Sequence, residues 1–234
     1  MHAIETVLFD FGGTLDADGV AWKERFHALY RAEGLDLSAE AFAPVFYAAD
    51  DALVGALPPS AGLEETVEAL AVGFEAELQR RGAGPDGARG RRVASRFLSE
   101  MSLAFARNRP VLKALGERYR LGVVSNFYGN LEAACASSGL APLFGVMADS
   151  QRVGAEKPEP AIFRAALSAL GAAAETAVMV GDSLRRDGEG ARRSGLSFIW
   201  IAPEAAQAAE RGGAAGRSGF AAVTGLPELL DILT

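Results

Sequence analysis

Asp10 closes the apolar run Ile4-Glu5-Thr6-Val7-Leu8-Phe9 and opens Asp10-Phe11-Gly12-Gly13-Thr14-Leu15. A carboxylate at the tip of a buried strand is expensive to keep for folding alone. It can instead attack a phosphorus atom and split a hydrolysis into two easier steps. Gly12 and Gly13 would let backbone N–H groups approach phosphate oxygens without a Cβ clash, with Thr14 completing the cradle. Three later segments offer complementary chemistry. Ser125-Asn126 brings a hydroxyl and an amide that can donate to phosphate oxygens. Lys157, in Gly154-Ala155-Glu156-Lys157-Pro158-Glu159-Pro160, stands just before a helical pattern. Helix N-termini favour anions, so a lysine there reads as a fixed ammonium offsetting nucleophile and phosphate. Asp182 and Asp187, in Gly181-Asp182-Ser183-Leu184-Arg185-Arg186-Asp187, suit Mg²⁺, a hard cation that takes oxygen ligands. Asp187 also fits the first turn of a helix, where the dipole favours an acid.

These groups need a scaffold that brings four strand ends together. Nearly continuous apolar runs recur at 4–10, 121–125, 144–148, 177–181 and 197–201, as central parallel strands do when both faces are covered. Helical patterns lie between them. Pro110 is placed to start one, and Gly139 and Gly171 to end two others as left-handed caps. The alternation predicts an α/β fold with a doubly wound parallel sheet, whose ligands gather at the C-terminal ends of its strands. Between the first two runs lies a stretch of different character. Apolar residues recur at helical spacing: Trp22, Phe26, Leu29, Tyr30; Phe42, Val45, Phe46; Val67, Leu70, Phe74, Leu78; Val93, Phe97, Met101, Phe105. This predicts an inserted, all-helical cap of about four helices at residues 17–107, closing over a core of 1–16 and 108–234. Residues 203–219 suggest a helix and a loose loop, 219–223 an edge strand, and 227–233 a last helix.

Composition narrows the function. A net charge of -7 disfavours nucleic-acid binding, which normally needs a basic face. The single cysteine, Cys135, excludes an intramolecular disulfide and reads as a small buried hydrophobe. With only His2 and His27, a Ser-His-Asp triad or a His-rich zinc site is hard to build. The N-terminus lacks a basic leader, and no apolar run approaches the ~20 residues of a membrane span. A cytoplasmic protein without membrane contact is expected, as monomer or homodimer.

Taken in order, the four segments resemble the haloacid dehalogenase-like (HAD) hydrolase superfamily over nearly the whole chain, with the insert similar to its helical type 1 cap. The resemblance is strongest in Gly181-Asp182-Ser183 through Asp187, continuing to Gly190-Ala191-Arg192-Arg193-Ser194-Gly195, and in the segment around Lys157. It implies a Rossmann-like core and Mg²⁺-dependent hydrolysis of a small phosphorylated metabolite through an aspartyl-phosphate. Asp10 would be nucleophile and metal ligand. Ser125 and Asn126 would bind the phosphoryl group, and Lys157 would hold it against the nucleophile. Asp182, Asp187 and the backbone carbonyl of Gly12 would complete the metal site.

Gly12 departs from the pattern. The family's phosphatases usually carry a second Asp there, two residues from the nucleophile and pointing the same way. That carboxylate protonates the leaving oxygen and later deprotonates water, a contribution of roughly 10²–10⁴-fold. Three readings follow. A phosphatase could recruit water or another acid, such as Asp16 or Asp18. The family's dehalogenases also lack the second Asp, but they lose the Gly-Asp pair retained here as Gly181-Asp182. Phosphonate cleavage would need a cap lysine, and only Lys23 is available. A third reading is a ligand- or partner-binding protein with little turnover. For specificity, Trp22, Tyr47 and Arg96 are candidates.

Overall fold

Runs of apolar residues without alternation become strands covered on both faces, and β1 (Thr6–Phe9) has all four residues buried. Val7 and Phe9 pack into one core and Leu8 into another, on opposite faces of the sheet. The computed structural model describes residues 3–84, 86–212 and 220–233. A six-stranded sheet runs in the order β3-β2-β1-β4-β5-β6. Its strands are β1, β2 (Arg120–Ser125), β3 (Val146–Asp149), β4 (Ala177–Gly181), β5 (Ser197–Ile201) and β6 (Ala221–Val223), all paired in parallel. The chain builds outward from β1 to β3, then returns to place β4 on the other side of β1. That reversal opens a crevice at the C-terminal ends of β1, β2 and β4, where open α/β sheets hold ligands.

The insert after β1 forms α1 (Trp22–Ala32), α2 (Ala39–Asp51), α3 (Leu63–Arg80) and α4 (Gly87–Gly116). Their predicted apolar stripes are buried and merge with the core on one face of the sheet. The aromatic centre includes Phe26 against Phe97 at 4.5 Å and Tyr30 against Phe74 at 4.3 Å between ring centroids.

Pro110 does not start a helix: it lies inside α4, which runs unbroken for 30 residues. Its missing N–H leaves the Ala106 carbonyl without a helical donor. Both residues are on the exposed side, where water serves the carbonyl. Met101, Phe105 and Leu112 continue one buried stripe across the proline and hold the helix together. The cap boundary expected at 107/108 therefore falls within a helix common to cap and core.

The remaining helices are α5 (Leu131–Ser137), α6 (Ser150–Val153), α7 (Pro160–Leu170), α8 (Glu189–Ser194), α9 (Glu204–Gly212) and α10 (Leu229–Ile232). Gly139 and Gly171 are left-handed after α5 and α7, at φ 69 and 59°. The loose loop expected after α9, at 213–219, and His2 lie outside the described residues. Among the described residues, no helix is long and apolar enough to cross a membrane.

Cys135 is fully buried, and burial pushes its thiol up to about 12. The thiolate is the reactive form. The native protein should therefore leave Ellman's reagent unreacted in mildly alkaline buffer and react stoichiometrically in guanidinium. Stoichiometric reaction in the folded state would contradict this packing.

Candidate active site

Asp10 follows β1 directly, and its N–H donates to the Val180 carbonyl of β4 at 2.9 Å, so the sheet fixes its backbone. Three donors converge on one carboxylate oxygen, Oδ1. These are Phe11 N–H at 2.7 Å, the Ser125 hydroxyl at 2.8 Å and the Lys157 ammonium at 2.7 Å. Among the described residues Oδ2 has no partner, which leaves it as the atom that can attack or bind a cation.

Lys157 bridges two acids, with Nζ also 2.7 Å from Asp187 Oδ1. Its side chain is 1% exposed. Burial alone would pull the ammonium down, but the charges of Asp10 and Asp187 hold it above its ordinary value. Asn126 fixes the lysine backbone from both sides. Its Oδ1 accepts from Lys157 N–H at 2.7 Å and its Nδ2 donates to the Lys157 carbonyl at 3.2 Å. The Asn126 amide thus positions the lysine, and its second N–H remains in a residue that lines the cavity.

Asp182 follows β4, with its carbonyl held by the Trp200 indole N–H at 2.8 Å. Asp187 is fully buried and its Oδ2 accepts from Ser183 N–H at 3.0 Å. Two glycines make room for these carboxylates. A Cβ on Gly13 would lie 2.6 Å from Asp182 Oδ2, and one on Gly181 would lie 2.3 Å from Asp187 Cγ. Gly13 also sits at φ 85°, a left-handed conformation that favours glycine.

The other cradle residues do not line the cavity. The Gly13 N–H donates to Asp16 Oδ1 at 2.6 Å, and Thr14 is fully buried, its hydroxyl without a partner among the described residues. The structure therefore gives Gly13 a role in admitting Asp182.

Asp10, Asp182 and Asp187 present oxygens within 4.8 Å of one another. Burial, then the charges of Asp10 and Asp187, push the Asp182 carboxyl well up. Burial likewise raises Asp187, to about 6, although Lys157 opposes it. Hard oxygen donors packed this closely, with more negative charge than one lysine offsets, fit a divalent cation such as Mg²⁺. Gly12 lines the same cavity.

Gly12 has φ -76 and ψ 124°, which any residue adopts, so the backbone does not require glycine there. Space does. A Cβ on Gly12 would meet Trp22 Nε1 at 3.0 Å and Cδ1 at 3.3 Å. The indole stands where the family's second carboxylate would begin. It is held by Asp16, whose Oδ2 accepts from Trp22 Nε1 and from Arg25 Nη1, each at 2.8 Å. Asp16 is fully buried with both oxygens engaged, and Asp18 pairs with Arg107 at 2.7 Å on the surface. Neither takes the place of the missing acid. One signal for this arrangement lies in the sequence: Trp22 and Arg25 are three apart on a helix and so share a face.

A cavity of about 470 Å³ lies between core and cap, reached by Asp10, Ser125, Lys157 and Asp182 below and by Trp22 and Tyr47 above. Arg96 instead pairs with Glu33 on the cap exterior. Lys23 lines the cavity but pairs with Glu24 at 3.1 Å and lies over the Tyr47 ring at 5.3 Å. Sequence reasoning missed Asp50 of α2, which reaches the cavity and accepts from the Tyr128 hydroxyl, 78 positions away. No local pattern marks such a pair.

A parallel sheet with a helical insert after its first strand, and a carboxylate cluster with one lysine at the strand ends, define a hydrolase of the HAD type. The chain belongs to the haloacid dehalogenase-like hydrolases, whose family pattern matches residues 4–195. It is 34% identical over 140 residues to the phosphoserine phosphatase of Thermus thermophilus, a match covering 55% of this chain and 52% of that one. The chain thus spans about half the length of that curated relative. Its fold resembles that of a HAD-hydrolase of Bacillus subtilis described as bound to magnesium, at a TM-score of 0.58 and 24% identity over 99% of both chains. It also resembles a 2-haloacid dehalogenase of Pseudomonas syringae, at a TM-score of 0.52 and 22% identity over 98% of both.

The packing of Trp22 on Gly12 can be measured by a double-mutant cycle. Gly12→Asp should destabilise the protein by about 1–3 kcal/mol through overpacking. In a Trp22→Ala background the same change should cost less, with a coupling of about 0.5–3 kcal/mol by chemical denaturation. Additive effects would show that the indole does not occupy the slot.

Proposed function

We propose that this protein is a cytoplasmic, Mg²⁺-dependent phosphoric monoester hydrolase acting on a small phosphorylated metabolite. The observation that carries the reading is Asp10 itself. Its Oδ1 is engaged by Ser125, Lys157 and Phe11, its Oδ2 has no partner among the described residues, and the residue lines the cavity. In this reading Oδ2 attacks phosphorus in line with the ester oxygen, giving an aspartyl-phosphate that water then hydrolyses. Lys157 holds the nucleophile at one angle and offsets charge on the phosphoryl oxygens. Ser125, already donating to Asp10, lies beside the same oxygens. Asp10, Asp182 and Asp187 would hold the Mg²⁺, with the Gly12 carbonyl. When bound, it would supply positive charge to the phosphoryl group.

The named relative supports phosphatase chemistry, as does the retention of Asp182 and Asp187 beside the nucleophile. The family's dehalogenases lose the Gly-Asp pair that this chain keeps as Gly181-Asp182. A cavity of about 470 Å³ falls within the roughly 300–1,000 Å³ of small-molecule sites.

The test is orthophosphate release from p-nitrophenyl phosphate, an acyl phosphate and several sugar phosphates, with Mg²⁺ and with EDTA. Release should require Mg²⁺ and vanish in Asp10→Asn while the thermal midpoint stays close to that of the parent. Undiminished release by Asp10→Asn would remove the mechanism. Halide release from a 2-haloacid in EDTA, with the phosphate panel silent, would replace it with dehalogenation.

A further inference from the structure

The leaving group needs a proton, and the floor of the site has no group to give it. The slot at Gly12 is filled by Trp22, Asp16 is turned inward with its acceptors spent, and Asp18 is tied to Arg107. Asp182 belongs with Asp10 and Asp187 to the cation cluster. Among the described carboxylates that line the 470 Å³ cavity, this leaves Glu24, paired with Lys23, and Asp50.

Asp50 is the second-last position of α2 and is half-buried in the cap wall. It also borders an adjoining cleft of about 340 Å³, together with Tyr128 and Lys157, so it stands where the two spaces meet. Its Oδ1 accepts from the Tyr128 hydroxyl at 2.5 Å, and among the described residues Oδ2 has no partner. A carboxylic acid suits this arrangement, with Oδ1 accepting and Oδ2 free to carry the proton, in a residue that lines the cavity. Burial pushes the carboxyl up; Tyr128 opposes, Asp51 adds and Arg186 opposes. Tyr47 and Lys157 are the other ionisable groups lining both spaces. The direction of the chemistry agrees. Displacement in line with Asp10 puts the departing oxygen on the far side of phosphorus, away from the sheet.

We propose that Asp50 is the general acid and base of this site, acting from the cap in place of the carboxylate absent at Gly12, with Tyr128 as its positioning residue. The assignment rests on the phosphatase reading above. In the first step Asp10 Oδ2 bonds to phosphorus as the ester P–O bond breaks, and the Asp50 proton passes to the departing oxygen, releasing an alcohol. In the second, water attacks the phosphorus of the aspartyl-phosphate and its proton passes to Asp50. The bond from phosphorus to Asp10 breaks, releasing orthophosphate.

The experiment compares leaving groups in the Mg²⁺-supplemented full chain and in its Asp50→Asn, Asp50→Ser and Tyr128→Phe variants. The substrates are an alkyl phosphate and p-nitrophenyl phosphate. Both Asp50 variants should lose roughly 10²-fold or more in kcat on the alkyl ester. On p-nitrophenyl phosphate they should still give a rapid burst of one nitrophenolate per enzyme before slow turnover. In the parent, single-turnover cleavage of the alkyl ester should fall as pH rises through the Asp50 titration, because the acid must hold its proton. Losing the Tyr128 hydrogen bond, which lowers that titration, should move the fall to higher pH. A variant that merely loosened the cap would leave the profile in place. Alkyl-ester turnover within twofold of the parent in both Asp50 variants would overturn the assignment. So would a change confined to KM, or a pH profile unmoved in Tyr128→Phe. A parent chain that cleaves neither ester would overturn the phosphatase reading and this assignment with it. An active parent with indifferent Asp50 variants would overturn this assignment alone.

Discussion

A lysine ammonium removed from water is tolerable only where opposite charge is close, and Lys157 has it at 2.7 Å on two sides. The rest of the site is arranged around that constraint. Asp10 and Asp187 come from the ends of β1 and of the turn after β4, strands that are neighbours in the sheet. Gly181 lacks a side chain where Asp187 must fit, and Gly13 lacks one where Asp182 must fit. Asn126 fixes the lysine backbone through both its amide oxygen and its amide nitrogen. Removing the lysine from such a buried set costs about 3–5 kcal/mol, because both carboxylates are left uncompensated. The set is nevertheless not self-sufficient. Three carboxylates against one ammonium leave an excess of negative charge, which together with the larger effect of burial raises the Asp182 carboxyl. Such an imbalance favours a divalent cation.

Much of this was legible in the sequence because it is local. Strands covered on both faces announce themselves as unbroken apolar runs, and Asp10, Ser125 and Asp182 sit at the ends of three of them. The cap helices were legible through their 3.6-residue stripes, from Trp22 to Phe105. What escaped depends on contacts between distant segments. The role of Gly13 follows from where Asp182 arrives, and the role of Asn126 from where Lys157 arrives. Pro110 carries a helix-start signal, yet the buried stripe through Met101, Phe105 and Leu112 overrides it because both the proline and Ala106 face water. Asp50 and Tyr128 meet across 78 positions, between a helix end and a loop with no periodic feature to link them.

The absence at Gly12 is likewise a tertiary matter, although it is visible as a missing residue. Read along the chain it is a deletion of chemistry. In the fold it is one side of a packing solution whose other side is Trp22. The indole occupies the vacated space, packs edge-on against Phe97 and Phe127, and sends its N–H to Asp16. Asp16 in turn fixes Gly13 through its N–H and draws Arg25 over the Phe97 ring at 4.0 Å. A residue that faces the nucleophile in the family's phosphatases is replaced here by a rigid tie between the nucleophile loop and α1.

That exchange changes what controls the chemistry. With an acid two residues from the nucleophile, proton donor and nucleophile ride on one strand end and keep their relation wherever the cap stands. With the donor on α2, the same relation depends on how α2 lies over the sheet. The Asp50–Tyr128 hydrogen bond is itself a link between cap and core, so the contact that aims the acid also registers the cap. Leaving groups that depart unaided would then be insensitive to cap position, while poor ones would react only when the cap is seated. Selectivity among phosphate esters would follow from the placement of one carboxylate, with no further contact to the substrate needed.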